Sequence, residues 1–276
     1  MSERITIADV ARAAGVSQMT VSRVVNDKGD VSEATRRRVL AVIDRLGYRP
    51  SGIARGLATK RTGTLGLVVP DVSNSFFADV ARGAEEAAYA QGYNVFLCNT
   101  EEDPQRELEV IASLEDKRVD GLVLCSSRLE EWELRQVVAR HRVVVLVNRR
   151  LPEEPVCSVL VDDERGGRLA TDHLLKSGHR AVGYLAGPAV SHSGRERARG
   201  YFAAFKAAGL PCYVDWVQHC LPTVEGGLEA ALALLTAHPD LAALFCYNDL
   251  VAVGALQAGE QLGRRVPADL AVVGYD

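Results

Sequence analysis

The sequence predicts an α/β protein that begins with a small helical head. From residue 64 onward, apolar runs of strand length alternate with amphipathic stretches of helix length. Such near-continuous apolar strands are typical of parallel sheets covered by helices on both faces. Within residues 1–50, three helical patterns follow one another with short turns between them.

The charge of the chain is unevenly divided. Residues 1–62 contain 12 Lys and Arg against 6 Asp and Glu, a net +6, whereas the rest contains 20 against 30, a net −10. This asymmetry favours a polyanionic partner for the head, while the acidic body would be repelled by DNA.

Composition excludes several classes of protein. No apolar run approaches the roughly 18 residues of a membrane span, and the first residues lack the apolar core of a signal peptide. We therefore expect a cytoplasmic protein without a membrane partner.

The six cysteines form no C-x-x-C pair, so buried reduced thiols are favoured over disulfides or a metal site. No Walker A or G-x-G-x-x-G loop is present, and we predict no cofactor.

The first two helices are predicted from their caps. Thr6 precedes the first helix and forms a capping-box pattern with Asp9, and Gly15 ends that helix. Ser17 starts the second helix after about three residues, the spacing of a helix-turn-helix unit. In the second helix the inward face is predicted to be Val21, Val24 and Val25. The outward face is predicted to be Gln18, Met19, Ser22 and Arg23.

The third helix is predicted to begin at Ser32 and to end at Gly47, with apolar residues at i, i+3, i+4 and i+7. It also contains the basic run 36–38. Two interpretations of that run stay open: a solvated helix face, or contact with DNA phosphates.

The runs "ITIADVARAAGVSQMTVSRVVN" and "VSEATRRRVLAVIDRLGYRPS" resemble the DNA-binding head of LacI/GalR-type transcriptional repressors nearly end to end. The resemblance implies a helix-turn-helix domain over residues 1–50 that binds double-stranded operator DNA. It implies base contacts by Gln18, Met19 and Arg23. It also implies backbone contacts by Thr6, Ser17, Thr20, Ser22 and Asn26. Glutamine can pair with adenine and arginine with guanine, while methionine offers only apolar contact.

Residues 51–62 are predicted to be a hinge. Two glycines in "SGIARGLATK" make a poor isolated helix. The family resemblance implies that this segment folds into a helix on DNA. Leu57 would then wedge into the minor groove. Ala54 and Ala58 would pack across a dimer axis, and Arg55 would reach the backbone.

Residues 63–276 are predicted to form two doubly wound parallel-sheet subdomains, over about 63–161 and 162–276, with a cleft between them. The order of "NSFFADVARGAEEAA", "DGLVL", "SVLVDDERGG", "HLLKSGHRAVGYLAGP" and "NDLVAVGALQA" resembles the periplasmic-binding-protein-like body of the same family. Members continue past the G-Y-D motif. The second subdomain is therefore expected to be C-terminally incomplete, either as a fragment or as a truncated product.

Ligands of open α/β sheets bind beyond the carboxyl ends of strands. Candidates on that ground are residues 71–77, Asn148, Arg149, Asp162, Asn248, Asp249 and Asp276. The family resemblance implies effector contacts by Phe76, Phe77, Asn148, Arg149, Arg197, Asn248 and Asp276. It places Ser193 and Leu221 near further contact positions.

Aromatic, amide, guanidinium and carboxylate groups together favour a sugar effector. A nucleobase is the second choice, because Ser191 and Leu221 stand where a purine-binding member would supply an arginine and an aromatic. The acidic run 162–164 could be a metal or acid–base cluster, but a helix cap is favoured.

Together these features predict a homodimeric, ligand-controlled repressor that binds a pseudo-palindromic operator. Three alternatives stay open: a solute-binding protein, an α/β enzyme, and a regulator controlled by a protein partner. The DNA-binding head argues against a solute-binding protein. The lack of recognisable catalytic residues in the sequence argues against an enzyme.

Overall fold

The computed structural model describes residues 5–49 and 61–276. The chain divides after Gly63 into two compact units, which we call the head and the body. The hinge residues predicted to contact the minor groove lie outside the described residues, so that prediction stays untested: Ala54, Arg55, Leu57 and Ala58. In the part of the chain that the structure describes, no helix has the length and apolarity needed to cross a bilayer.

The head contains three helices: α1 (Ile7–Ala14), α2 (Gln18–Val25) and α3 (Glu33–Leu46). Their predicted caps are confirmed. Thr6 and Asp9 form a reciprocal capping box at the start of α1, and Gly15 ends that helix at φ 62°. The Ser17 side chain accepts a hydrogen bond from the Thr20 backbone N–H at the start of α2.

The core of the head is built from small and β-branched side chains of all three helices. Its buried members are Val10, Ala11, Ala14, Val21, Val24, Val39 and Val42. The small residues let α1 and α2 approach closely, which fixes the orientation of the outer face of α2.

The body confirms the prediction of two parallel sheets. The first sheet has the order β2-β1-β3-β4-β5 and the second the order β7-β6-β8-β9. The strands of the first sheet are β1 (Thr64–Val69), β2 (Asn94–Asn99), β3 (Gly121–Cys125), β4 (Val144–Val147) and β5 (Cys157–Val159). Those of the second are β6 (Val182–Ala186), β7 (Val217–His219), β8 (Ala243–Cys246) and β9 (Ala271–Val273).

Seven helices cover the described part of these sheets. Those of the first half are α4 (Ser75–Ala90), α5 (Pro104–Asp116) and α6 (Glu131–Arg140). Those of the second half are α7 (Asp163–Lys176), α8 (His192–Ala208), α9 (Val224–Ala237) and α10 (Asp249–Gln261). Buried aromatic and aliphatic side chains fill the space between sheets and helices, among them stacked Tyr184 and Phe245.

Helices α7 and α8 are in unusually close contact because glycines face the opposite backbone. A Cβ on Gly167 would lie 2.3 Å from the carbonyl oxygen of Arg197. A Cβ on Gly200 would lie 2.0 Å from the carbonyl oxygen of Glu164. This approach brings the side chains at the start of α7 within reach of α8.

Candidate functional site

A cavity of about 260 Å³ lies in the body where the carboxyl ends of both sheets face each other. We call it the cleft. Loops after β1, β2, β3, β4 and β5 form one wall, and loops after β6, β7, β8 and β9 form the other. This is the position at which open parallel sheets bind ligands.

Most of the predicted effector residues line the cleft: Phe76, Phe77, Asn148, Ser193, Arg197, Asn248 and Asp276. Arg149 and Leu221 are not among its lining residues. The Arg149 guanidinium donates to the backbone oxygens of Leu129 (2.9 Å) and Val190 (3.0 Å), and so ties a loop of the first half to one of the second. The Leu221 side chain is exposed, beside the lining residue Pro222. Effector contact by these side chains stays a prediction.

The guanidinium of Arg197 is fixed from several sides. Its Nε donates to Asp163 Oδ1 at 2.8 Å, and its Nη1 donates to the backbone oxygen of Tyr247. The ring of Tyr275 stacks against it, with the guanidinium carbon 3.6 Å from the ring centroid. Both members of the Arg197–Asp163 pair are buried. Burial lowers the pKa of Arg197, but the neighbouring Tyr247 and Asp163 outweigh it and raise that pKa.

A second buried ion pair lines the cleft from the first sheet. Arg128 donates from Nη2 to Glu102 Oε1 at 3.0 Å and from Nε to Glu102 Oε2. Beneath it, Glu107 accepts the backbone N–H of Arg128 at 2.8 Å. Burial raises the pKa of Glu107.

Sequence reasoning missed the Glu102–Arg128 pair, although the sequence carried one signal for Glu107, the carboxylate that holds the Arg128 backbone. Glu107, Ile111 and Leu114 lie on the buried face of α5. A carboxylate on an apolar helix face implies an internal hydrogen-bonding partner. Asp71 and Asn74 belong to the strand-end candidates 71–77, whereas five further lining residues lie outside the predicted sets: Ser126, Val161, Pro222, Tyr247 and Tyr275.

Several polar groups of the cleft serve helix termini. Asn74 and Asn248 cap α4 and α10 through their side-chain oxygens. Ser193 is different, because its buried hydroxyl has no hydrogen-bonding partner. Phe76 packs edge-to-face on Phe77, with ring centroids 5.1 Å apart. Aromatic, amide and hydroxyl groups therefore converge on one small cavity.

Asp162 and Asp163, in the acidic run 162–164, have different roles. Asp162 caps α7 by accepting the Arg165 backbone N–H at 3.1 Å, as the favoured interpretation expects. Asp163 turns inward and pairs with Arg197. Ser191 caps α8, and its hydroxyl lies 3.0 Å from that of Tyr247. The Ser191 hydroxyl is therefore already hydrogen-bonded within the protein.

In the head, the predicted base-contacting side chains Gln18, Met19 and Arg23 are all exposed, Met19 to 67%. The predicted backbone-contacting residues lie at the helix ends and on α2. Thr6 and Ser17 cap helices, Thr20 lies 2.9 Å from the Ser17 hydroxyl, and the Asn26 amide donates to Ser22.

The basic run of α3 is mostly engaged within the head. Arg36 donates to Asp27 at 2.6 Å and to the Lys28 backbone oxygen, and Arg37 pairs with Glu33. Arg38 is exposed. Phosphate contact by this run stays an open interpretation.

Comparison with protein families finds two matches. The model described as "Bacterial regulatory proteins, lacI family" matches residues 6–51. The model described as "Periplasmic binding proteins and sugar binding domain of LacI family" matches residues 62–276.

Similar curated proteins include the HTH-type transcriptional repressor PurR of Photobacterium profundum, 38% identical over 98% of this chain and 81% of the relative. They also include catabolite control protein A of Priestia megaterium, 36% identical over 99% of this chain and 82% of the relative.

Among solved structures, the Lac repressor dimer bound to operator and the anti-inducer ONPF aligns with a TM-score of 0.83 and 28% identity, over 99% of this chain and 83% of that one. The complex of the transcriptional regulator CelR with cellobiose aligns with a TM-score of 0.71 and 36% identity, over the same shares of the two chains.

Proposed function

Because this chain belongs to the LacI family of bacterial transcriptional repressors, we propose that it binds a pseudo-palindromic operator as a homodimer and that a sugar in the cleft controls this binding. The family is one of DNA-binding regulators with an effector domain, and not of enzymes. Since operator DNA is the target, we propose that the protein acts in the cytoplasm.

The outer face of α2 supports the DNA-binding half of the proposal. Gln18, Met19 and Arg23 project from a helix whose opposite face is fixed by the head core. The capped N-terminus of α2 also presents backbone N–H groups, a favourable environment for a phosphate. We propose that Gln18 and Arg23 contact base edges, that Met19 makes apolar contact, and that the neighbouring polar residues position the head on the backbone.

The operator can be obtained by selection from random duplexes. Arg23→Ala is expected to weaken binding to the selected site by about 1–3 kcal/mol and to relax one base position, because a bidentate guanine contact is lost. Arg45→Ala is the matched control, since this exposed arginine lies in the last turn of α3. An equal loss for Arg23→Ala on selected and random DNA would reject its base-contacting role.

One observation carries the effector half of the proposal: the cleft gathers hydrogen-bonding groups that the protein does not fully use, of which the unpartnered Ser193 hydroxyl is the clearest. A buried polar group without a partner costs free energy, which a ligand hydroxyl can recover. The Asn148 and Asn248 amides and the Phe76 ring add the polar and apolar contacts that a sugar ring requires.

A nucleobase is the second candidate, favoured by the similarity to repressors named PurR. Against it, the Ser191 hydroxyl is engaged with Tyr247 and the α8 N-terminus, and Leu221 supplies no aromatic ring. Thermal-shift screening of sugars and nucleobases distinguishes the two, because a ligand that binds only the folded state raises the melting temperature.

The effector's action on DNA is tested with Arg197→Ala. We expect this variant to lose the response of operator binding to the sugar, because Arg197 lines the cleft and is anchored in the second half of the body. A normal response would place the effector elsewhere.

The edge of the first sheet supports the homodimer. Strand β2 is an outer strand, and Phe96 and Leu97 on it are 44% and 49% exposed. A cavity of about 330 Å³ beside them is lined mainly by apolar groups of β2 and α5. An exposed apolar edge is typical of an interface. We expect Leu97→Lys to shift the protein towards monomer in analytical ultracentrifugation, while the exposed control Leu169→Lys on α7 does not.

The body acts in this proposal as a two-state clamp. The ligand contacts both halves of the body, so it favours the relative orientation of the two halves in which all of these contacts form at once. This orientation sets the separation of the two head domains of a dimer, and thereby the affinity for two half-sites.

A further inference from the structure

We propose that the cleft selects an effector that carries neither a phosphate nor a carboxylate group, and that the buried Glu102–Arg128 pair is the specificity-determining element. This inference rests on the proposal that the effector binds in the cleft. It narrows the class of ligand to uncharged, hydroxyl-bearing molecules.

The cations that line the described cleft are both neutralised by the protein. Arg197 is paired with Asp163, and Arg128 with Glu102. All four side chains are buried or nearly so. Each guanidinium is therefore already matched by a carboxylate, and neither offers uncompensated charge to an anionic ligand.

Two more carboxylates line the cleft, on Asp71 and Asp276. Asp71 accepts hydrogen bonds from the backbone N–H and the hydroxyl of Ser73. Burial raises the pKa of Asp276, which is the direction expected where negative charge is poorly stabilised. Even without Asp276, the carboxylates of Asp71, Glu102 and Asp163 outnumber the two guanidinium groups of the cleft, so a phosphate entering it meets net repulsion.

Arg128 is also held where it cannot turn towards a ligand phosphate. Its backbone N–H is fixed by the carboxylate of Glu107, and its side chain by Glu102. From the opposite half of the body, Tyr247 interacts with the same guanidinium and, with Glu102, raises its pKa despite burial. Breaking this pair to bind an anion would leave the Glu102 carboxylate buried and unpaired, which is strongly unfavourable.

Uncharged hydroxyls do not meet this obstacle. A ligand hydroxyl can donate to a free lone pair of Glu102 or Asp276 without disturbing either ion pair. The arrangement thus combines attraction for a polyhydroxylated ring with rejection of its phosphorylated counterpart, which is how discrimination between close analogues is commonly obtained.

The test uses inorganic phosphate as the probe, because it reports the charge of the cleft whatever the natural effector is. Glu102→Gln retains the side-chain shape and a hydrogen-bond acceptor but frees the charge of Arg128. Phosphate binding to the full chain is measured by calorimetry, with sodium chloride at equal ionic strength as the reference. Glu101→Gln is the matched control, since the adjacent Glu101 is exposed and pairs with Arg106 outside the cleft.

We expect phosphate to bind Glu102→Gln at least about tenfold more tightly than wild type or Glu101→Gln, because one nearby negative charge is removed at low effective dielectric. Phosphate affinity unchanged in a folded Glu102→Gln variant would overturn the proposal.

The wild-type protein supplies a second test that needs no variant. Saturable phosphate binding that competes with an uncharged cleft ligand would also overturn it. If instead no ligand of any charge alters operator affinity, the proposed function fails. The comparison of phosphate binding between wild type and Glu102→Gln still tests the charge selectivity of the cleft.

Discussion

The buried pair between α7 and α8 offers a quantitative test of how the cleft is built. Asp163→Ala leaves the Arg197 guanidinium without its carboxylate, at a position where the side chains are 3% and 9% exposed and the atoms 2.8 Å apart. Removing one partner of such a pair typically costs about 3–5 kcal/mol, because the remaining charge stays buried. That is a large fraction of the roughly 5–15 kcal/mol that stabilises a typical protein.

Tryptophan fluorescence during urea unfolding can assign this loss to the second half of the body. The chain has two tryptophans. Trp216 packs near Phe205 in the core of the second sheet, whereas Trp132 is exposed on α6. In a Trp132→Phe background, the signal from Trp216 therefore reports on the sheet that Asp163 supports.

Asp172→Ala is the control because it removes a carboxylate from the same helix. Asp172 lies 3.8 Å from Arg168 and 4.0 Å from Lys176 in looser, partly exposed pairs, so less than about 1 kcal/mol is expected. If Asp163→Ala lowers the free energy of unfolding no more than Asp172→Ala does, the Arg197–Asp163 pair is not what fixes this wall of the cleft.

Two further predictions concern the packing and titration of the body. Gly200→Ala is expected to destabilise the body by about 1–3 kcal/mol or more, because the new Cβ overlaps the facing helix backbone. Gly83→Ala is the control: a Cβ added there would have no atom within 4 Å, so this change should stabilise α4 slightly. Thermal melts of both variants measure this, and equal effects would refute close α7–α8 packing. Burial raises the pKa of Glu107 above its ordinary value of 4.5, so the folded state holds this proton more tightly than the unfolded state does. Stability should therefore fall as pH rises from about 4.5 through the folded pKa. Glu107→Gln should remove that slope in urea midpoints measured against pH, whereas Glu109→Gln on the exposed side of α5 should keep it.

Features encoded by neighbouring residues were predictable from the sequence. The Thr6–Asp9 capping box, the Gly15 terminator and the Ser17 cap all depend on side chains within a few positions of one another. The alternation of strands and helices in the body was equally clear, because helical and strand periodicities differ. These local signals sufficed for the fold and for the exposed face of α2.

Features that depend on the docking of distant elements were not predictable. Strand β7 is one such feature, because its three residues at a sheet edge carry little apolar pattern. The Glu102–Arg128 and Arg197–Asp163 pairs join residues 26 and 34 positions apart. Asp163 shows the limit most clearly: one residue beyond the cap at Asp162, the rotation of the helix turns its side chain from the surface to the core.

Ligand control is tested by the operator affinity of the full chain, titrated with an uncharged sugar that stabilises it in thermal-shift screening. We expect the operator affinity to change by about 5- to 150-fold, and by linkage the sugar affinity to change by the same factor when operator is present. A sugar that binds the cleft but leaves operator affinity unchanged would contradict ligand control of DNA binding by this protein.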